Sequence, residues 1–187
     1  MPPFKHIPLV SSSAEIRFLK LYLNGDAHDI RCIIITYPLD SKPAYTVLSY
    51  EWGDPERTVE ILLNGKVFTA RHNLGLFLNR MKLAAQQKCS KCSRGTTALL
   101  WIDALCVDQT NTTERNAQVQ LMGTIYRDAR EVVVWLGWAE DLKAKAAHAL
   151  SEWHYGNATL DSRAVPTLPQ AVCAASFIRP SQIWKLR

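Results

Sequence analysis

Polar and aromatic residues gather at two points in this sequence, each where an apolar run stops. After YTVLSY come Ser49, Tyr50, Trp52 and Asp54, the last two inside the turn EWGDP. After LLWI come Asp103, Cys106, Asp108 and Gln109, followed closely by Glu114 and Arg115. In open α/β sheets, ligands bind outside the carboxyl ends of parallel strands, where loops and helix N-termini converge. Carboxylates, a hydroxyl and an indole placed there suit a ribose or another hydroxylated ligand. Each residue also has a plain structural use. Asp54 and Asp103 can cap turns, and Trp52 can pack on the sheet. Glu114 in the first turn of a helix gains about 0.3–1 kcal/mol from the macrodipole.

Other chemistries have less support. Cys89 and Cys92 form a CxxC without a second pair at zinc spacing, and His72 is the only histidine shortly upstream. A tetrahedral metal site needs four ligands, so no metal is expected. Cys106 has no evident histidine partner to activate it as a nucleophile. Neither a GxGxxG nor a GxxxxGK[ST] phosphate loop occurs.

The elements that must position these residues can be read from periodicity. Residues 99–102 form a short apolar run that suits a buried strand, ending at Asp103. Asn111 with Glu114 has capping-box spacing, and Val119, Met122, Ile125, Tyr126 and Ala129 then recur at helical spacing. The β-branched run 132–136 closes at Gly137. Strand, helix and strand make a right-handed, parallel βαβ unit over residues 99–137. Upstream, residues 16–23 and 30–36 read as a hairpin at the edge of the sheet, and 45–50 as a third strand. Asn64-Gly65 marks a tight hairpin between 59–63 and 66–69. Asn73 caps a helix whose Leu74, Phe77, Leu78 and Met81 share one face. Residues 141–153 are helical in spacing, and 86–97 is a basic, polar loop. Residues 1–14 are expected to be a disordered leader, 15–155 the domain, and 156–187 an irregular tail at a fragment edge.

The totals set the class. The 187 residues are 48% hydrophobic and 21% charged, the profile of a globular domain. The net charge of +5 is scattered rather than arranged in an aromatic-interleaved stripe, which argues against a nucleic-acid partner. No apolar run approaches the ~20 residues that span a bilayer, and the N-terminus lacks the apolar core of a secretory signal. Five cysteines, an odd number with Cys32 and Cys106 in apolar surroundings, point to a reducing compartment, hence the cytoplasm.

Three blocks together resemble the fungal heterokaryon incompatibility (HET) domain: YTVLSYEWGD at 45–54, LLWIDALCVDQ at 99–109 and ERNAQVQLMGTIYRDAREVVVWLG at 114–137. IRFLKL, the strand containing Cys32 and the segment at Asn73 look like that family's opening and linking elements. The resemblance covers residues 16–137. Glu51 and Val107 fall at variable positions, the CxxC insert is not part of the pattern, and nothing beyond Trp138 matches.

The resemblance implies a module of a longer chain, acting in non-self recognition and cell death after incompatible fungal cells fuse. Its partners would be other incompatibility or signalling proteins and further copies of itself, with no nucleic acid and no membrane. It also implies an α/β fold similar to the Toll/interleukin-1 receptor (TIR) domain: a flavodoxin-like, mainly parallel sheet flanked by helices, here with N-terminal β-hairpin additions. Some TIR domains cleave NAD at the nicotinamide–ribose bond, so the expectation is no resident cofactor and NAD as substrate. In those enzymes a glutamate on the helix after the third strand is central; here that helix would be 141–153, with Glu140 and Glu152 as candidates. Asp103 and Glu114 lie inside the HET blocks, so the expected catalytic set is Glu114, Asp103 and Glu152. The expected ligand contacts are Ser49, Tyr50, Trp52, Asp54, Gln109 and Arg115.

Overall fold

The computed structural model describes residues 2–10, 12, 14–22, 29–86, 99–135, 137 and 175–178. Its eleven elements are β1 (Glu15–Leu21), β2 (Arg31–Pro38), β3 (Tyr45–Tyr50), β4 (Thr58–Leu63), β5 (Lys66–Arg71), α1 (His72–Gln86), β6 (Leu99–Trp101), α2 (Asp103–Cys106), α3 (Thr112–Asp128), β7 (Glu131–Trp135) and β8 (Ala175–Ile178). The strands form one sheet in the order β5-β4-β2-β1-β6-β3-β7-β8.

The centre of the sheet is parallel. β3 lies between β6 and β7, with Val47 opposite Trp101 on one side and opposite Val132 on the other. β3 can hold this place because Tyr45, Thr46, Val47 and Leu48 are all buried, as befits a strand covered on both faces. The β6–α3–β7 crossover is the unit expected from residues 99–137. Asn111 caps α3, its side-chain oxygen accepting from the Glu114 N–H at 3.1 Å. The chain turns once more than expected: Asp103 opens the short helix α2 rather than a loop.

The sheet as a whole is mixed, which corrects the expectation of a mainly parallel one. β1–β2, β1–β6, β4–β5 and β7–β8 are antiparallel pairs, against the parallel β2–β4, β3–β6 and β3–β7. One cause is the β1–β2 hairpin, which sits between β6 and β4 and not at an edge. Ile16, Phe18 and Leu19 of β1 are fully buried, so an edge position would have left apolar surface wet.

β4 and β5 carry the sheet outward through the Asn64-Gly65 turn, where both residues have positive φ (51° and 74°). The Asn64 side chain also accepts the Ile34 N–H at 2.8 Å, tying the turn to β2. Gly65→Ala is expected to lower unfolding free energy by about 1–2 kcal/mol, since a Cβ is strained in the left-handed region. Space is not the issue, because nothing lies within 4 Å of that Cβ. A urea titration checks it; an unchanged midpoint would show that the turn tolerates a side chain.

Near the N-terminus, Pro3 and Phe4 lie along β5. Pro3 bridges Val67, the Phe4 N–H donates to the Val67 carbonyl at 2.8 Å, and the Phe4 ring meets Phe68 edge-on. Among the described residues no helix is long and apolar enough to cross a membrane.

Candidate functional site

Where β3 and β6 end, the side chains converge on Asp103. One of its carboxylate oxygens accepts the Trp52 indole N–H at 3.1 Å, and the other accepts the Ala104 N–H at 2.7 Å. Its main-chain carbonyl accepts from the Gln109 amide at 2.9 Å. Burial raises the Asp103 pKa above its ordinary value, against the two hydrogen bonds that favour the charged form. Tyr50 lies close enough for the Asp103 charge to act on it, and burial pushes its hydroxyl up. The Tyr126 hydroxyl is hydrogen-bonded to Ser49 and feels the same carboxylate. A carboxylate that is costly to ionise, with two tyrosines within reach of its charge at strand ends, is a candidate functional group.

Two residues the sequence reading did not place here complete the arrangement. Arg71, at the end of β5, stacks over the Trp52 ring with its guanidinium carbon 5.1 Å from the centroid. It also donates to the Gly53 carbonyl at 2.7 Å. Trp52 thus has a cation on its face and a carboxylate at its N–H edge. Asn73 lies inside the first turn of α1 instead of capping it. Its amide donates to the Glu51 carbonyl at 2.5 Å and accepts the Trp135 indole N–H at 2.9 Å. The β3 turn, α1 and the end of β7 are joined through that one side chain. The sequence marked Asn73 as polar at a helix start, which capping explained equally well.

The other expected site residues go elsewhere. Asp54 is exposed and accepts the Glu56 N–H at 2.9 Å, a turn-forming role. Arg115 is exposed and donates to the Gln109 carbonyl at 3.4 Å. Glu114 is buried and paired with the equally buried Arg17 through both oxygens, at 2.5 and 3.0 Å. It also accepts the Asp108 N–H at 2.8 Å. Burial works against its charge, but the Arg17 and Asp108 donors win and hold its carboxyl below the ordinary value. Asp54, Asp103 and Glu114 therefore have three separate sets of partners. Glu140, Glu152 and the helix expected over 141–153 lie outside the described residues.

Cys106 is fully buried with its thiol pushed up to about 12 by burial, and Cys32 likewise. Both are protonated at neutral pH and unsuited to nucleophilic work. Among the described residues no group of three His, Cys, Asp or Glu side chains could hold a metal ion.

The sequence profile of the heterokaryon incompatibility protein (HET) family matches residues 45–178. This chain belongs to the HET family. The match begins at β3, takes in every strand-end residue described above and runs to the end of β8, well past Trp138, where residue-level resemblance stopped. Two fungal relatives are similar. Heterokaryon incompatibility protein 6 (OR allele) of Neurospora crassa is 34% identical over 160 residues, 80% of this chain and 22% of its own length. Vegetative incompatibility protein HET-E-1 of Podospora anserina is 29% identical over 120 residues, 63% of this chain and 8% of its own length. The chain thus spans less than a quarter of either relative. No solved structure matches it. The HET blocks contain both Asp103, at the strand-end cluster, and Glu114, in the buried ion pair.

Proposed function

We propose that this chain is the HET module of a cytoplasmic fungal non-self recognition system, triggering cell death after incompatible cells fuse. We further propose that it acts as a TIR-like domain, hydrolysing NAD at the nicotinamide–ribose bond once copies associate. The observation that carries this reading is the β6-β3-β7 core with Asp103 fixed at its carboxyl edge. In chain order these strands run second, first, third, as in flavodoxin-like sheets, which bind ligands at that edge.

The chemistry suits the group found there. Breaking the nicotinamide–ribose bond builds positive charge on the ribose, as in glycoside hydrolysis. A preorganised carboxylate stabilises that charge, while water attacks C1 and nicotinamide leaves with the bonding electrons. Ser49, Tyr50, Trp52 and Gln109 would bound the ligand, with Arg71 available for a phosphate. Glu152 remains part of the proposed catalytic set.

One observation favours a second reading, a non-catalytic module that signals by assembly with itself or other signalling proteins. The best-placed glutamate, Glu114, is committed to Arg17 and the Asp108 N–H. The test is to incubate the protein, artificially clustered, with NAD and follow free nicotinamide. Hydrolysis predicts release that falls at least tenfold in Asp103→Asn and in Glu152→Gln. No release under clustering rejects catalysis. Assembly then predicts concentration-dependent oligomers by light scattering, and a strict monomer would count against it.

A further inference from the structure

A cavity of about 560 Å³ lies between residues 4–6, Phe68 of β5 and the segment linking α2 to α3, sharing only Gln109 with the ligand contacts proposed above. That volume falls in the range of small-molecule sites, about 300–1,000 Å³. We propose that it binds a nucleoside monophosphate, with the base against the aromatic wall and the phosphate on Lys5.

The walls are held before any ligand arrives. The Phe4 and Phe68 rings stand 6.0 Å apart at 72° and form the apolar side with buried Val107. The N-terminal wall is pinned at three points: the Phe4 N–H on Val67, the His6 ring nitrogen 2.8 Å from the Leu105 carbonyl, and the Ile7 carbonyl, which accepts from Arg17 at 2.7 Å. A wall fixed in this way loses little further freedom on binding.

The polar groups determine the ligand class. Gln109 spends an amide N–H on the Asp103 carbonyl, which turns its amide oxygen into an acceptor for an incoming amino group. Asp108 accepts both the Thr110 N–H and hydroxyl, at 3.0 and 2.7 Å, and stays a charged acceptor. Two acceptors beside an aromatic wall suit an adenine amino group and ribose hydroxyls. The Asp108 carboxylate also repels a phosphate, which directs the phosphate toward Lys5, the ammonium among the described lining residues. Lys5 is exposed and makes no ion pair among the described residues. Its ammonium suits a phosphate as a point charge.

The experiment is calorimetric titration of the 187-residue chain with adenosine 5′-monophosphate, with adenosine and ribose 5-phosphate as separate arms. Saturable one-to-one binding is expected, about tenfold weaker for either fragment. Lys5→Gln should weaken the monophosphate about tenfold and leave adenosine unchanged. Asp108→Asn should weaken adenosine as well. Lys20→Gln, a matched charge loss on an exposed β1 position, should change nothing. Absence of saturation at millimolar ligand, or equal affinity of Lys5→Gln and the parent, overturns the site. Nicotinamide release is a separate measurement, so this proposal and NAD hydrolysis can fail independently.

Discussion

Arg17→Met should lower the unfolding free energy by about 3–5 kcal/mol, because it leaves the Glu114 carboxylate buried without its partner. Against a typical domain stability of about 5–15 kcal/mol that is a large loss. Arg17 is more than half of an ion pair. Its guanidinium joins β1 to Glu114 of α3, the Cys106 carbonyl of α2 and the Ile7 carbonyl of the N-terminal segment. Glu114→Leu should also destabilise, since it leaves the cation buried. The double variant Arg17→Met/Glu114→Leu should lose much less than the two single losses combined, because the buried charge itself is gone. Urea unfolding of the four proteins provides the cycle. Additive losses would mean that the two side chains act separately.

The same pair fixes a pH dependence. Glu114 has a folded pKa below its ordinary 4.5, so the unfolded chain binds the extra proton in the window between the two values. The contribution is complete above the unfolded pKa and is lost as pH falls through the folded one. Asp103 has the opposite sign: its raised pKa means that ionising it in the folded state costs stability as pH rises. The HET block at 99–109 therefore holds a carboxylate that weakens the fold when charged, and the block at 114–137 one that strengthens it. A group that costs stability is the better candidate for function.

What was legible in the sequence was local. The β6–α3–β7 unit, the Asn111 cap, the Asn64-Gly65 turn and the apolar face of α1 all rest on residues within a few positions of each other. What was not legible depends on contacts between distant residues. Arg17 and Glu114 are 97 residues apart, and no spacing rule pairs them. The hairpin's place inside the sheet is not legible, because alternation says which face a strand buries, but not which strand lies beside it. Arg71 closes the Trp52 cluster only because β5 ends beside the turn after β3. Asn73 shows a different limit, since capping and cross-linking need the same amide at the same place.

Phe77→Ala should cost about 3–5 kcal/mol, the usual penalty for removing a buried aromatic ring and leaving a cavity. Phe77 is 1% exposed and meets Trp135 at 5.8 Å and 62°, an edge-to-face contact. One helical turn earlier on the same α1, Asn73 accepts the Trp135 N–H. The helix thus grips the last residue of β7 twice, once by packing and once by a hydrogen bond. Trp135 lies opposite Tyr50 in the sheet register, so loosening it disturbs the edge that carries Asp103. Phe77→Leu, which fills most of the space, should cost less than half as much. Val119→Ala on the exposed side of α3 should stay within about 0.5 kcal/mol. Urea midpoints give the three losses, and near-ultraviolet circular dichroism reads the tryptophan environment. A Phe77→Ala loss below about 1 kcal/mol, or an unchanged aromatic spectrum, would mean that α1 does not hold β7 in this way.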